Sequence, residues 1–199
     1  MVQQPLWSQP WQFTDPDLWQ YQEITLTGAA AEIDQESIRL ERERLFAIWE
    51  QSSPQPQWTT SFQLPITDYL AISSPFGARR SYNGGPYSTY HEGVDFAAYG
   101  GTAVYAPAAG TVVVAEQLYV RGGAVILDHG LGIYSGFYHM SEILVTPGEV
   151  VQMGQPIGRS GHQWPFYRQS FALGFAGQWG LGGCPGLAGA GYGLLDSHV

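Results

Sequence analysis

His91-Glu92-Gly93-Val94-Asp95 places an imidazole and a carboxylate, two ordinary ligands of Zn2+, four residues apart around a glycine. In a straight strand the ends of such a stretch would lie about 13 Å apart at ~3.3 Å per residue, too far to share one ion. A metal site here requires the backbone to curl, and Gly93 permits the curl because it has no Cβ. The alternative is a surface loop that happens to hold both residue types. What surrounds the stretch decides between them.

The scaffold that must hold these side chains reads as mainly β. With 199 residues, 44% of them hydrophobic, the chain can bury a real core, which fits one main domain with an appendage. Gly (26), Pro (13) and Tyr (12) are abundant while long helical patterns are few, which favours short strands and turns. Strands are expected at Leu70 to Ser73, Val104 to Ala106, Thr111 to Gln117, Ala124 to Asp128, Ile133 to Tyr138 and Val150 to Met153, with His139 closing the fifth. Together they form a compact antiparallel β-domain. One amphipathic helix is expected between Glu32 and Gln51, capped by Asp34, with Ile38, Leu45, Phe46 and Trp49 on one face. Ser52 to Gln57 carries two prolines and reads as a linker. The expected organisation is an N-terminal extension over 1–65, a β-domain over 66–161 and a glycine-rich tail over 162–199.

Composition excludes several function classes. A formal charge of −9 and no basic stripe argue against a nucleic-acid partner. No apolar run approaches the ~20 residues of a membrane span, and the N-terminal stretch lacks a basic leader, so export is not visible in the sequence itself. Cys184 is the single cysteine and can form no intrachain disulfide. Trp7, Trp11, Trp19, Trp49 and Trp58 could line a glycan-contacting surface, although buried packing is their ordinary use.

Residues 70 to 161 resemble the M23 (lysostaphin/LytM-like) zinc metallopeptidases. The resemblance is carried by Ser74-Pro75-Phe76-Gly77-Ala78-Arg79, the His91 to Ala97 stretch, Val104-Tyr105-Ala106-Pro107, Ala108-Ala109-Gly110-Thr111-Val112, Tyr138-His139-Met140-Ser141, and Gly148 to Gly158. It implies a mainly β, duplicated-hybrid type of fold with a helix-containing appendage. It further implies a zinc endopeptidase that cuts peptides of bacterial peptidoglycan in the periplasm, cell wall or outside the cell. By motif, His91 and Asp95 become zinc ligands and His139 a catalytic histidine that takes a proton or steadies a developing oxyanion. The structural alternative for His139 is a strand-end histidine held by a backbone carbonyl. His129, in an Asp-His-Gly turn, matches no liganding motif and reads as structural.

The chain departs from the family where a His-x-His motif should follow Gly161 and supply the third ligand. Only His162 and His198 lie downstream, neither in that context. The tail over 162–199 has nine glycines, one Arg, one Asp and no consistent period. A change of reading frame near Gly161 accounts for both: back-translated from His162 and read one nucleotide later, the tail can encode ISGPSTGSHLHWDLRVNGVWVD. On this reading the chain is impaired in zinc binding, and the strand that bears the histidine pair is expected to be lost, leaving a bare sheet edge. Another reading is a degenerate, non-catalytic module that binds cell wall or regulates another hydrolase. The Ala106 to Val112 and Pro147 to Gly158 segments also resemble biotinyl and lipoyl carrier half-barrels, but those carriers need a lysine and this chain has none.

Overall fold

The computed structural model describes residues 20–161 and 170–177. The described residues form twelve strands, one α-helix and a short 3-10 helix at Gly28–Glu32: β1 Tyr21–Ile24, α1 Gln35–Trp49, β2 Ala71–Ser74, β3 Arg79–Tyr82, β4 Thr89–Tyr90, β5 Val94–Ala97, β6 Ala103–Tyr105, β7 Gly110–Leu118, β8 Gly122–Gly130, β9 Ile133–Ile143, β10 Val150–Val151, β11 Pro156–Ser160 and β12 Ser170–Gly177. A large sheet runs β10-β7-β8-β9-β12-β5-β2, with β11 joining β6 to β9 at its side. A small sheet, β1-β3-β4, lies beside it, and in it β1 runs parallel to β3. The fold is mainly β with a helix-bearing N-terminal extension, as the sequence implies.

The strands β7 to β9 are buried on both faces: the two-residue period sends neighbouring side chains of β8, and of β9 up to Tyr138, to opposite clusters, and in β7 an irregularity between Val112 and Val114 sends these two to different clusters. Val112, Val125, Leu127 and Phe137 point into one apolar cluster with Phe96, Val104 and Ile157. Val114, Ala124, Ile126, Tyr134 and Tyr138 point into a second, which Leu45 and Trp49 of α1 close. The helix is therefore the cover of the sheet's second face. Asp34 caps it as expected, accepting from the Ser37 amide at 2.7 Å. One member of the buried face was not legible: Glu41 is 9% exposed, and it accepts from the Val120 amide and from Arg121. A glutamate in a helix reads as a solvated residue unless its partner across the fold is known.

The proline-bearing segment after α1 is held against the end of β8. Asp128 accepts from the Ser52 hydroxyl at 2.8 Å and the Ser53 amide at 2.7 Å, while Gln57 donates to the carbonyls of Asp128 and His129. A Cβ at Gly130 would collide with the Gln55 carbonyl, so the close approach requires glycine there.

Two expectations are corrected. The strand that ends in Tyr138 does not stop at His139: β9 continues to Ile143, and the chain passes through His139 with φ +59° at an irregularity in its pairing with β8. A bulge lets a strand change the direction of one side chain without ending, which propensity cannot reveal. The expected loss of the strand after Gly161 is also overturned. Residues 170–177 form β12, paired with β9 on one side and β5 on the other. The ladder is made by backbone groups, so a segment of small and apolar residues can fill the gap between two strands whatever its side chains. The remainder of 162–199, including His162, Cys184 and His198, lies outside the described residues, as do Trp7, Trp11 and Trp19.

His129 is structural in its contacts. It is fully buried, with Nδ1 donating to the Ala109 carbonyl at 2.8 Å and Nε2 2.7 Å from the Ser135 hydroxyl, an arrangement that suits the neutral ring. Burial pushes its pKa below the ordinary 6.5. The folded state then binds fewer protons than the unfolded chain as pH falls through 6.5, so the contribution of His129 is whole above that value and declines below it. We expect the urea midpoint to be flat from pH 8 to about 7 and to fall toward pH 5.5, with a smaller decline in a His129→Gln variant.

Candidate metal centre

The site is assembled from the end of β2, the turn into β3, and the short segment between β4 and β5. His91 is held on both sides of its peptide: its amide donates to the Ala78 carbonyl and its carbonyl accepts from the Gly77 amide, each at 2.8 Å. The chain bends at Gly93 and re-enters the sheet as β5, and the bend does what the spacing required. His91 Nε2 and Asp95 Oδ1 end 3.2 Å apart. Two donors of a tetrahedral zinc, each about 2.0–2.2 Å from the metal, are separated by roughly 3.3 Å, so this spacing suits a shared ion.

The other ring nitrogen fixes which atom faces the site. Nδ1 lies 3.2 Å from the Pro75 carbonyl, which can only accept, and 3.0 Å from the Ser74 hydroxyl. With the proton on Nδ1, the Nε2 lone pair faces a carboxylate oxygen 3.2 Å away, an approach that a metal ion shared by the two atoms satisfies, as does a second ring proton donated to Asp95. His91 is fully buried and the Asp95 side chain is 16% exposed. The donor set therefore fits two of the ligands of a zinc ion. Among the described residues there is no group of three His, Cys, Asp or Glu able to hold a metal.

His139 lies in the same sheet, across β12. Ala172 pairs with Asp95 on one side and with Tyr138 on the other, which puts the position next to His139 two strands from Asp95, about 10 Å at the usual strand spacing. Its amide donates to the Arg121 carbonyl at 3.1 Å and its carbonyl accepts from the Gly161 amide at 2.8 Å. A Cβ at Gly161 would collide with that carbonyl, so glycine is needed for the approach. The structure thus brings His91 and Asp95 into contact and sets His139 on the neighbouring strand pair. Glu92, although inside the same stretch, turns the other way and meets Arg42 of α1 at 3.3 Å.

Sequence reasoning missed Arg80. It is 5% exposed and its guanidinium lies 3.1 Å from Asp95 Oδ2. Its neighbour Arg79 stacks instead over the Tyr90 ring at 5.8 Å. Adjacent residues on a strand face opposite sides, so one of the Arg79-Arg80 pair had to point inward, but spacing alone does not say which.

Residues 89–171 match the family model described as Peptidase family M23. That span includes His91, Asp95, His139 and the first residues of β12. The chain is 37% identical over 98 residues to the peptidoglycan DD-endopeptidase ShyA of Vibrio cholerae, a match covering 49% of this chain and 23% of that protein. It is 30% identical over 93 residues to ShyB of the same organism, named a peptidoglycan DD-endopeptidase, covering 47% and 22%. The chain thus spans less than a quarter of these relatives. Among solved structures it is similar to a putative peptidase M23 from Pseudomonas aeruginosa, with TM-score 0.57 and 29% identity over 72% of this chain and 56% of that one. A zinc containing peptidase from Vibrio cholerae gives TM-score 0.52 and 26% identity, covering 58% and 36%.

Proposed function

We propose that this chain, which carries a peptidase family M23 domain, is a zinc endopeptidase directed at the peptides of bacterial peptidoglycan, impaired by an incomplete ligand set. The observation that carries the reading is the 3.2 Å approach of His91 Nε2 to Asp95 Oδ1, with Nδ1 turned to a carbonyl. The names of the relatives support the substrate class, and work on that substrate would lie in the periplasm, the cell wall or outside the cell. No described helix is long and apolar enough to cross a membrane.

Zinc in such a site supplies Lewis acidity, polarising a scissile carbonyl and making water acidic enough to lose a proton near pH 7. His91 contributes a neutral imidazole nitrogen, oriented by the bond its other nitrogen makes. Asp95 contributes one carboxylate oxygen while the other is held by Arg80. His139, on the bulge of β9, takes a proton at an imidazole nitrogen or donates one to the developing oxyanion. The β-domain over 66–161 supplies these groups, α1 of the extension over 1–65 covers the second face of its sheet, and the tail over 162–199 is where the frame departs.

Zinc titrated into the intact chain at pH 7, followed through the histidine side-chain NMR signals, tests the reading. Weak binding that perturbs His91 is expected, and His91→Ala or Asp95→Asn should weaken it by more than about 100-fold. Zinc binding unaltered by both substitutions would refute the assignment. A second reading, a non-catalytic wall-binding module, is favoured by the absence of a three-residue ligand group among the described residues. Cosedimentation with purified peptidoglycan, without release of new peptide ends even after the tail's frame is corrected, would select it.

A further inference from the structure

The metal pair is backed by a polar network that reaches it from the N-terminal extension. Arg80 Nη2 donates to Asp95 Oδ2 at 3.1 Å and to the Ser74 hydroxyl oxygen at 3.0 Å, while its Nε donates to Gln22 Oε1 at 3.3 Å. The Ser74 hydroxyl has one hydrogen, and it goes to Gln22 Oε1 at 2.8 Å. Towards Arg80 and towards His91 Nδ1, 3.0 Å away, Ser74 can then only accept. The chain of donors runs in one direction, so the proton of His91 stays on Nδ1 and the lone pair of Nε2 stays on the side of Asp95.

We infer that Arg80, anchored by Gln22 of β1, is the positioning residue of this site: it fixes one Asp95 oxygen and, through Ser74, the tautomer of His91. The inference rests on the reading of His91 and Asp95 as a metal pair. It makes a strand of the extension a working part of the centre, because Gln22 sits on β1 and Arg80 on the strand that β1 pairs with, Gln22 opposite Arg80 in register. Arginine suits the task since one planar fork reaches a carboxylate, a hydroxyl and an amide oxygen at fixed angles. Without it, the carboxylate beside a neutral imidazole would be free to rotate both oxygens away.

The test uses the full chain. Zinc affinity is read from the histidine NMR signals, and folding from urea unfolding in chelator. Arg80→Gln is expected to weaken zinc binding by about 10- to 100-fold, the usual effect of removing the partner of a ligand. Gln22→Ala, on the edge strand, removes the acceptor of two hydrogen bonds and should weaken it by about 2- to 10-fold, with only a small fall in the urea midpoint and the chain still folded. Arg80→Lys keeps the charge but not the fork and should fall between the parent and Arg80→Gln. Zinc affinity equal to the parent's in both Arg80→Gln and Gln22→Ala overturns the inference, and if Arg80→Gln does not fold, Gln22→Ala decides. Should the parent itself give no zinc response, the metal reading fails, and a cycle of Arg80→Gln with Asp95→Asn in chelator decides the rest. A coupling of about tenfold in the unfolding equilibrium sustains the link between Arg80 and Asp95, and additive effects end it.

Discussion

Ala172→His is expected to raise the zinc affinity of this chain by more than about 100-fold, because it adds a ligand to the site and a ligand outweighs the 10- to 100-fold of its supporting contacts. The register of β12 selects the position. Ala172 stands directly across from Asp95 on β5 and across from Tyr138, next to His139, on β9. Residues opposite one another in an antiparallel pair have Cβ atoms about 4.5–5.5 Å apart on one face of the sheet, a distance an imidazole can bridge to an ion held by Asp95. The tail's alternative frame reaches the same position by an unrelated route. Counted from position 162, the peptide ISGPSTGSHLHWDLRVNGVWVD places its two histidines at 170 and 172, both on β12 and both on one face. A chelator-competition titration of the variant measures the effect, and the nucleotide sequence around codon 161 checks the frame directly. A variant that binds zinc no better than the parent would show that β12 does not bring position 172 to the ion.

Glu41→Ala is expected to lower folding stability by about 3–5 kcal/mol, since it strands a buried guanidinium. The Glu41 and Arg121 side chains are 7% and 1% exposed, with Arg121 Nη1 to Glu41 Oε1 at 2.6 Å and the Val120 amide donating to the second carboxylate oxygen. Removing one partner of such a pair is far worse than replacing both by apolar groups, so Glu41→Ala with Arg121→Met should recover most of the loss. Urea unfolding of the two single variants and the double variant measures this. The pair also reaches the site: the Arg121 carbonyl accepts the His139 amide, and the Arg121 guanidinium lies 5.6 Å from the Tyr138 ring centre. A loss below about 1 kcal/mol for Glu41→Ala would mean that α1 is loosely seated on the sheet.

Much of the local structure was legible because the chain states it locally. Asp34 lies three residues before Ser37, so the cap of α1 follows from spacing. Runs rich in Val, Ile and aromatic residues between glycine and proline breaks give the strands, and the apolar run Ala124 to Leu127 gives one buried on both faces. Glu41 and Arg80 were not legible, since their burial depends on Arg121 and Asp95, partners far off in sequence. The bulge at His139 was hidden for a related reason: it is a mismatch of β8 and β9, and no single strand contains it.

What the sequence determined by itself is the fold class, the capped helix, the family resemblance, and the two residue types that can share an ion, because each depends on the order of neighbours along the chain. What the tertiary structure alone decided is that Nε2 of His91 faces Asp95, that Arg80 rather than Arg79 holds the carboxylate, that α1 seals the second face, and that residues 170–177 complete the sheet. Hydrogen bonding and burial join groups that no periodicity relates, so their partners appear only when the strands are laid side by side.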